Sequence, residues 1–344
     1  MRRVTLKQIA ERSGLSVSTV SLILSGKAHH NRISQEAIAL VDRTAKAMDY
    51  SPNLLVHNMQ TGRTHIMTFF NCFRYVSGDD DPYSVRLTTA TNRAAGELGY
   101  NVMTFCSFPP TVEGAYHSLN GGHCDGVILF AARPDEPLLD RFRPSRLPAV
   151  LLNTADPEGV LSSVRDDVAD GMRQAVEAIR LRGHRRIAAI TDAGPNPNAP
   201  QRIALLRQYA DDAGLDLPEE RLVEAGSDED ASEAVAYLMR SDQPPTALFC
   251  WRDSLAVTAV QTCERMGIEV PTRLSVVGYD GISFPDRTSH RIASVHVDLI
   301  DIGRRAVTIL DGLISGKASK PTIDLRPVQF LEGTTLTVPP TGSL

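Results

Sequence analysis

Asp253 and Asp280 each stand behind a short apolar run, TALFCW (246–251) and SVVGY (275–279). Carboxylates at the carboxyl ends of strands lie where an open α/β sheet meets a small ligand. Together with a guanidinium fork they can take the paired hydroxyls of a sugar. Trp251, the single tryptophan, is either a ring for a sugar face or a buried strand-end aromatic. For Asp253 the equal alternative is a cap on the helix that follows. Reactive chemistry finds no such constellation. There is no G-x-S-x-G nucleophile elbow and no G-x-G-x-x-G. DGLISGKAS (311–319) contains Gly-Lys, but Asp311 occupies the first glycine position of a phosphate loop, and the segment ends a helix instead of opening one. The nine histidines show no metal-ligand spacing. His117, His123 and Cys124 come nearest, and a turn after a helix accounts for them. The residues predict binding chemistry, with no enzyme activity, no metal and no cofactor.

A second set of residues, near the start of the chain, suits a polyanion. TLKQIAERSGLSVSTVSLILSG (5–26) reads as two short helices about a tight turn. Thr5 and Gln8 form a capping box. Leu6, Ile9 and Ala10 share one face, and Gly14 supplies the left-handed cap. Ser16 caps a second helix that buries Val20, Ile23 and Leu24, leaving Val17, Ser18 and Leu22 outward. Ser34 caps a third, with Ile38, Val41, Ala45 and Met48 at helical spacing. Three short helices on one small core make a helix-turn-helix unit, whose second helix enters the DNA major groove. Residues 1–63 hold nine Lys/Arg against four Asp/Glu, a balance of +5; the whole chain carries −5, so the remainder carries −10. A basic head on an acidic body fits a head that alone meets nucleic acid. Next comes YSPNLLVHNMQTGRT (50–64), where Pro52 fixes the entry, Leu54–Thr61 can form two helical turns and Gly62 stops them. A helix this short is marginal by itself.

The elements that must hold Asp253 and Asp280 are legible from His65 onward. HIMTFFNCF, YNVMTFC, DGVILFA, PAVLLN, RRIAAIT, TALFCW and LSVVGYD are strand-like, with amphipathic helices such as Ser84–Leu98, Val168–Leu181 and Ser254–Met266 between them. Near-continuous apolar strands alternating with helices mean parallel sheet covered on both faces. So long a stretch exceeds one comfortable core, which predicts two lobes. Five widely spaced cysteines without a C-x-x-C pair read as reduced thiols. No run reaches membrane-spanning length. Arg2 and Arg3 are followed by Lys7, Gln8, Glu11 and Arg12 instead of an apolar stretch, so export is not expected. The expected location is the cytoplasm.

Thr5–Gly26 followed by YSPN and the short Gly-terminated segment resembles the lactose-repressor/galactose-repressor family of bacterial transcription regulators. The likeness runs over nearly the whole chain. VRDDVADGMRQAVEAIRLRGHRRIAAI is similar to the segment that opens the family's second lobe, with Asp167 and Gly171 at matching positions. FCWRDSLAVTAVQTCERMGIEVPTRLSVVGYDGI is the most specific match in the body. The resemblance implies an α/β chain: an N-terminal helix-turn-helix domain (1–50), a hinge helix (51–63), and a two-lobed periplasmic-binding-protein-like body (64–340) with doubly wound parallel sheets. It implies a homodimeric regulator, most often a repressor, whose affinity for a pseudo-palindromic operator is set by a small ligand between the lobes, a sugar or sugar derivative. A secreted sugar-binding protein would share the body but carry a signal peptide in place of the basic head. The final LEGTTLTVPPTGSL lacks the apolar heptads of the family's tetramerising branch.

Residue by residue, the resemblance places Thr5, Ser16, Val17, Ser18, Thr19, Ser21 and Leu22 at DNA. Val56 and Met59 fall in paired hinge helices, with Met59 as the minor-groove wedge. It places Tyr83, Arg202, Trp251, Arg252, Asp253 and Asp280 at the effector. Six positions depart from the pattern, among them His57 and Asn58, which replace commoner hinge residues. Val56 replaces a small alanine. Leu22 replaces a polar base-reading residue and can touch only a thymine methyl or exclude water. Arg252 stands where relatives often carry Asn, and Ser227 where many carry an aromatic. Arg202 and Arg252, if both face the ligand, suit an anion; with Asp253 and Asp280 to balance them, a neutral polyol.

Overall fold

The computed structural model describes residues 4–26, 28, 31–51, 62–72, 82–105, 109–193 and 198–340. The chain divides into two compact units, Met1–Thr64 and His65–Leu344.

In the first unit, α1 (Leu6–Ser13), α2 (Val17–Leu24) and α3 (Gln35–Ala47) follow their caps closely. The Thr5 hydroxyl accepts from the Gln8 amide while the Gln8 side chain accepts from the Thr5 amide. Gly14 closes α1 at φ 68°, a left-handed conformation that suits glycine. Ser16 and Ser34 accept from the Thr19 and Ala37 amides. Helices of eight residues do not persist alone in water. Packing holds them, around Ile9, Ala10, Val20, Ile23, Ala28, Val41 and Ala45.

The second unit contains two six-stranded sheets of the same winding. The first runs β2-β1-β3-β4-β5-β11 and the second β7-β6-β8-β9-β10-β12. Their strands are β1 (Ile66–Asn71), β2 (Asn101–Thr104), β3 (Gly126–Phe130), β4 (Ala149–Leu152), β5 (Ser162–Asp166), β6 (Ile187–Asp192), β7 (Leu222–Ala225), β8 (Ala247–Cys250), β9 (Ser275–Asp280), β10 (Ala293–Val297), β11 (Ile323–Arg326) and β12 (Val328–Leu331). Among the described residues all pairings between these strands are parallel except β10 with β12. The order of the first five strands in each lobe is the flavodoxin-like one, whose reversal point is the usual ligand crevice. Central strands are buried throughout, as in β3 and β8, which is why they read as unbroken apolar runs.

Helices α4 (Pro82–Glu97), α5 (Val112–Leu119) and α6 (Pro137–Phe142) belong to the first lobe. The second carries α7 (Val168–Leu181), α8 (Ala199–Asp212), α9 (Asp228–Met239) and α10 (Asp253–Arg265). The last helix, α11 (Leu299–Ile314), returns to pack on α4 and β3–β5. The chain therefore crosses between lobes at 166–168, 297–299 and 326–328. Two of these crossings are near copies. Asp167 (φ −78°, ψ 82°) and Asp298 (φ −76°, ψ 82°) each turn the chain out of a strand, and each side chain caps the next helix by accepting from an amide three residues on.

Candidate functional site

The cleft between the lobes is lined from strand ends. The first lobe supplies Arg133, Thr154 and Arg165, and the second Asp192, Asn198 and Gln201, around a space of about 930 Å³. That is the size of a small-molecule site. Asn198 bridges the lobes by donating from Nδ2 to the Asn153 carbonyl at 3.1 Å.

Arg202, next to Gln201 of the cleft lining, is 5% exposed. It projects from α8 over the ring faces of Tyr279 (3.9 Å to the centroid) and Trp251 (4.4 Å). One terminal nitrogen donates to the Trp251 carbonyl at 3.2 Å; the other lies 3.8 Å from Asp166. Asp166, at the end of β5, accepts from the Tyr279 hydroxyl at 2.9 Å. A strand end of one lobe is thus tied to a strand and a helix of the other. Burial opposes the charge on Arg202, but Tyr279, Asp166, Asp280 and Tyr83 outweigh it and hold its pKa above the ordinary arginine value. Burial, reinforced by Asp166, pushes the Tyr279 hydroxyl well above the usual tyrosine range, so it stays a donor. Gly171 on α7 is glycine for steric reasons: a Cβ there would run into the Tyr279 hydroxyl.

Arg202, Tyr83 and Asp280 therefore come together. Tyr83 sits half-buried on the first turn of α4. Asp280, 7% exposed, ends β9 at φ 101°. That conformation is disfavoured for a residue with a Cβ, and such outliers gather at binding sites. The other three candidates are differently employed. Trp251, 4% exposed, is the buried strand-end aromatic, its ring under Arg202. Arg252 donates to Ser254 at 2.9 Å and lies 3.7 Å from Asp192, so its charge is matched inside the protein. Asp253 does not cap its own helix. Its carboxylate accepts from the Ser294 hydroxyl at 2.6 Å and from the Ile282 amide, pinning the turn after β9. Ser227 caps α9 in a box with Asp230.

Asp253 also titrates. Burial raises its pKa from 3.8 to about 7, against the lowering effect of Ser294 and the Ile282 and Gly281 amides. The folded protein therefore holds a proton that the unfolded chain releases between those values. This contribution to stability is complete below about pH 4 and is lost as the pH climbs toward 7, at about 1.4 kcal/mol per pKa unit. Denaturant midpoints measured from pH 5 to 8 should fall for the wild type and be flatter for Asp253→Asn. Parallel curves would show that Asp253 stays ionised in the fold.

On the head, Val17 and Ser18 are exposed, and Thr19, Ser21 and Leu22 half-buried. The Thr5 and Ser16 hydroxyls are spent on helix caps, Ser16 also meeting Thr19 Oγ1 at 2.8 Å, so they fix the start of each helix. Val56 and Met59 lie outside the described residues, as do Asp79, Asp80, Asp81 and Cys106. Among the described residues no helix is long and apolar enough to cross a membrane.

Residues 5–53 match the profile described as bacterial regulatory proteins, lacI family, and residues 176–336 that of a periplasmic binding protein-like domain. The chain belongs to the lacI family of bacterial regulatory proteins. Curated relatives align over most of their length. The ribose operon repressor of Escherichia coli is 25% identical over 340 residues, 95% of this chain and 96% of that one. The HTH-type transcriptional repressor PurR of Mannheimia succiniciproducens is 24% identical over 329 residues, 94% and 96%. The lac repressor dimer bound to operator and the anti-inducer ONPF shares the fold, with a TM-score of 0.84 at 22% identity over 98% of this chain and 100% of that one. This lacI-family chain is a DNA-binding transcriptional regulator with a small-molecule cleft in its body. Reading the sequence missed Asp166, Tyr279 and the Asn153–Asn198 bridge. Tyr279 directly precedes Asp280, and Asp166 sits in RDDVADG, so both were within sight but carried no local signal of their pairing.

Proposed function

We propose that this regulator is a cytoplasmic, homodimeric repressor, without enzyme activity, whose affinity for a pseudo-palindromic operator is set by a sugar or sugar derivative held between its lobes. The observation that carries the effector half is the buried Arg202–Asp166–Tyr279 junction, which joins the lobes across the crevice. A ligand that exchanges its hydroxyls into this junction binds one lobe arrangement better than another and so shifts their populations. The name of one relative, the ribose operon repressor, supports sugar-linked control of this kind. Tyr83, Arg202 and Asp280 contact the effector in this reading. Trp251 backs Arg202, while Arg252 and Asp253 act from behind through Asp192 and the turn at Gly281–Ile282. On the head, Val17, Ser18, Ser21 and Leu22 face the major groove, with Thr5, Ser16 and Thr19 fixing the helix starts beside phosphates. Residues 51–63 form the hinge, with Val56 at its pairing face and Met59 as the wedge.

Two half-sites on one operator give a two-fold symmetric footprint, and phosphate contacts give a log K against log salt slope of about −0.9 per contact. Footprinting and a salt titration on a genomically selected site test this together. An asymmetric footprint, or affinity flat with salt, would sink the reading.

A further inference from the structure

Among the described residues, one guanidinium lining the cleft is without a carboxylate. Arg133 is held by Asp135 through two bonds of 2.8 Å, Arg252 lies beside Asp192, and Arg202 beside Asp166. Arg165 lines the same cleft from β5, and among the described residues it makes no ion pair and no hydrogen bond; its Nε is buried and lacks an acceptor. A buried donor without a partner is costly, and a fixed guanidinium is best satisfied by a two-oxygen anion, which its fork takes bidentately. Two more atoms are buried and unsatisfied, Arg202 Nε and Asp166 Oδ1, on the residues that directly follow Gln201 and Arg165 of the lining. One is a donor and the other an acceptor, and a hydroxyl group can serve both at once. Glu224, also lining the cleft, is exposed at the rim. It disfavours an acidic group on its side and so sets the direction in which an anionic ligand lies.

We propose that the effector is an anionic polyol, a sugar acid or a sugar phosphate, whose acidic group pairs with Arg165 while a hydroxyl bridges Arg202 Nε and Asp166 Oδ1. This rests on the cleft being the effector site. It also relocates the anion-binding role that Arg202 and Arg252 suggested in the sequence, since both of those are neutralised within the protein. Carboxylate and phosphate share the chemistry that Arg165 recognises, and the ligand panel separates them.

The test is a thermal-shift and calorimetric comparison of D-glucose, D-galactose and D-ribose with D-glucuronate, D-galacturonate, D-ribonate, D-glucose 6-phosphate and D-ribose 5-phosphate. The proteins are the full-length wild type, Arg165→Met, Arg165→Lys and Arg202→Met. The expected result is that at least one acid or phosphate binds the wild type more tightly than its neutral parent. Arg165→Met should weaken that ligand about tenfold or more and erase its advantage over the parent, the scale of a charge-assisted pair. Arg165→Lys, which keeps the charge without the fork, should fall between the two and decides the matter if the Met variant does not fold. A neutral parent that binds as tightly as its acid, or an anion whose affinity is unchanged in both Arg165 variants, overturns the anionic ligand while leaving the cleft reading intact. So does a panel in which no anionic member binds. A ligand that binds Arg202→Met as well as wild type overturns the cleft reading itself.

Discussion

Arg202→Met should lower the stability of the body by about 3–5 kcal/mol, the penalty for leaving a buried ion-pair partner alone, and silence the effector response at the same time. The substitution keeps the apolar stem over Trp251 and Tyr279 but removes the donor to the Trp251 carbonyl and the positive charge beside Asp166. Asp166 is 1% exposed and would keep only the Tyr279 hydroxyl. Most of the loss is therefore the stranded carboxylate, and that can be separated from the lost contacts. Asp166→Asn breaks the same ion pair from the other side. The double variant should be more stable than the sum of the single losses predicts, by about 0.5–3 kcal/mol in a double-mutant cycle read from urea midpoints. Additive losses would mean that the 3.8 Å approach contributes nothing and that Arg202 is held by its rings and the Trp251 carbonyl.

The second large effect is on the head. Val20→Asp should abolish operator binding while leaving the body folded and its effector binding intact. Val20 has no exposed surface and sits at the centre of a core of seven buried residues. A buried carboxylate without a partner costs several kcal/mol. The head has little to set against that, because its helices are short and depend on the packing the substitution removes. The two units are separately compact, and the only tryptophan, Trp251, reports on the body. Gel-shift titration should thus show no specific complex, while the Trp251 fluorescence midpoint stays at its wild-type value. A drop in that midpoint would show that the body depends on the head for its stability.

What could be read directly from the sequence was whatever short-range physics controls. The caps at Thr5, Ser16 and Ser34 and the stop at Gly14 are settled within three or four residues. Helix α7 appeared with both its ends, since its apolar period and the Asp167 cap lie inside the segment itself. The central strands showed as unbroken apolar runs because both of their faces are covered. The edge strands β7, β11 and β12 did not, since they are half exposed and read as ordinary polar chain. Nor did β5, whose Ser162, Ser163 and Asp166 are polar yet buried. Asp280 could be marked by its place after an apolar run. Which residues would meet it could not, because the partners are chosen by strand order. Asp166 and Tyr279 are 113 positions apart and touch only because β5 ends at the crossing that faces the end of β9. The same long-range geometry took Asp253 away to the turn at Ile282, matched Arg252 with Asp192 and left Arg165 unmatched. Local sequence fixes where a charge sits along the chain. Only the closed pair of sheets decides whether another charge is waiting for it, because a pairing energy depends on distance and dielectric, and both are set by the tertiary fold.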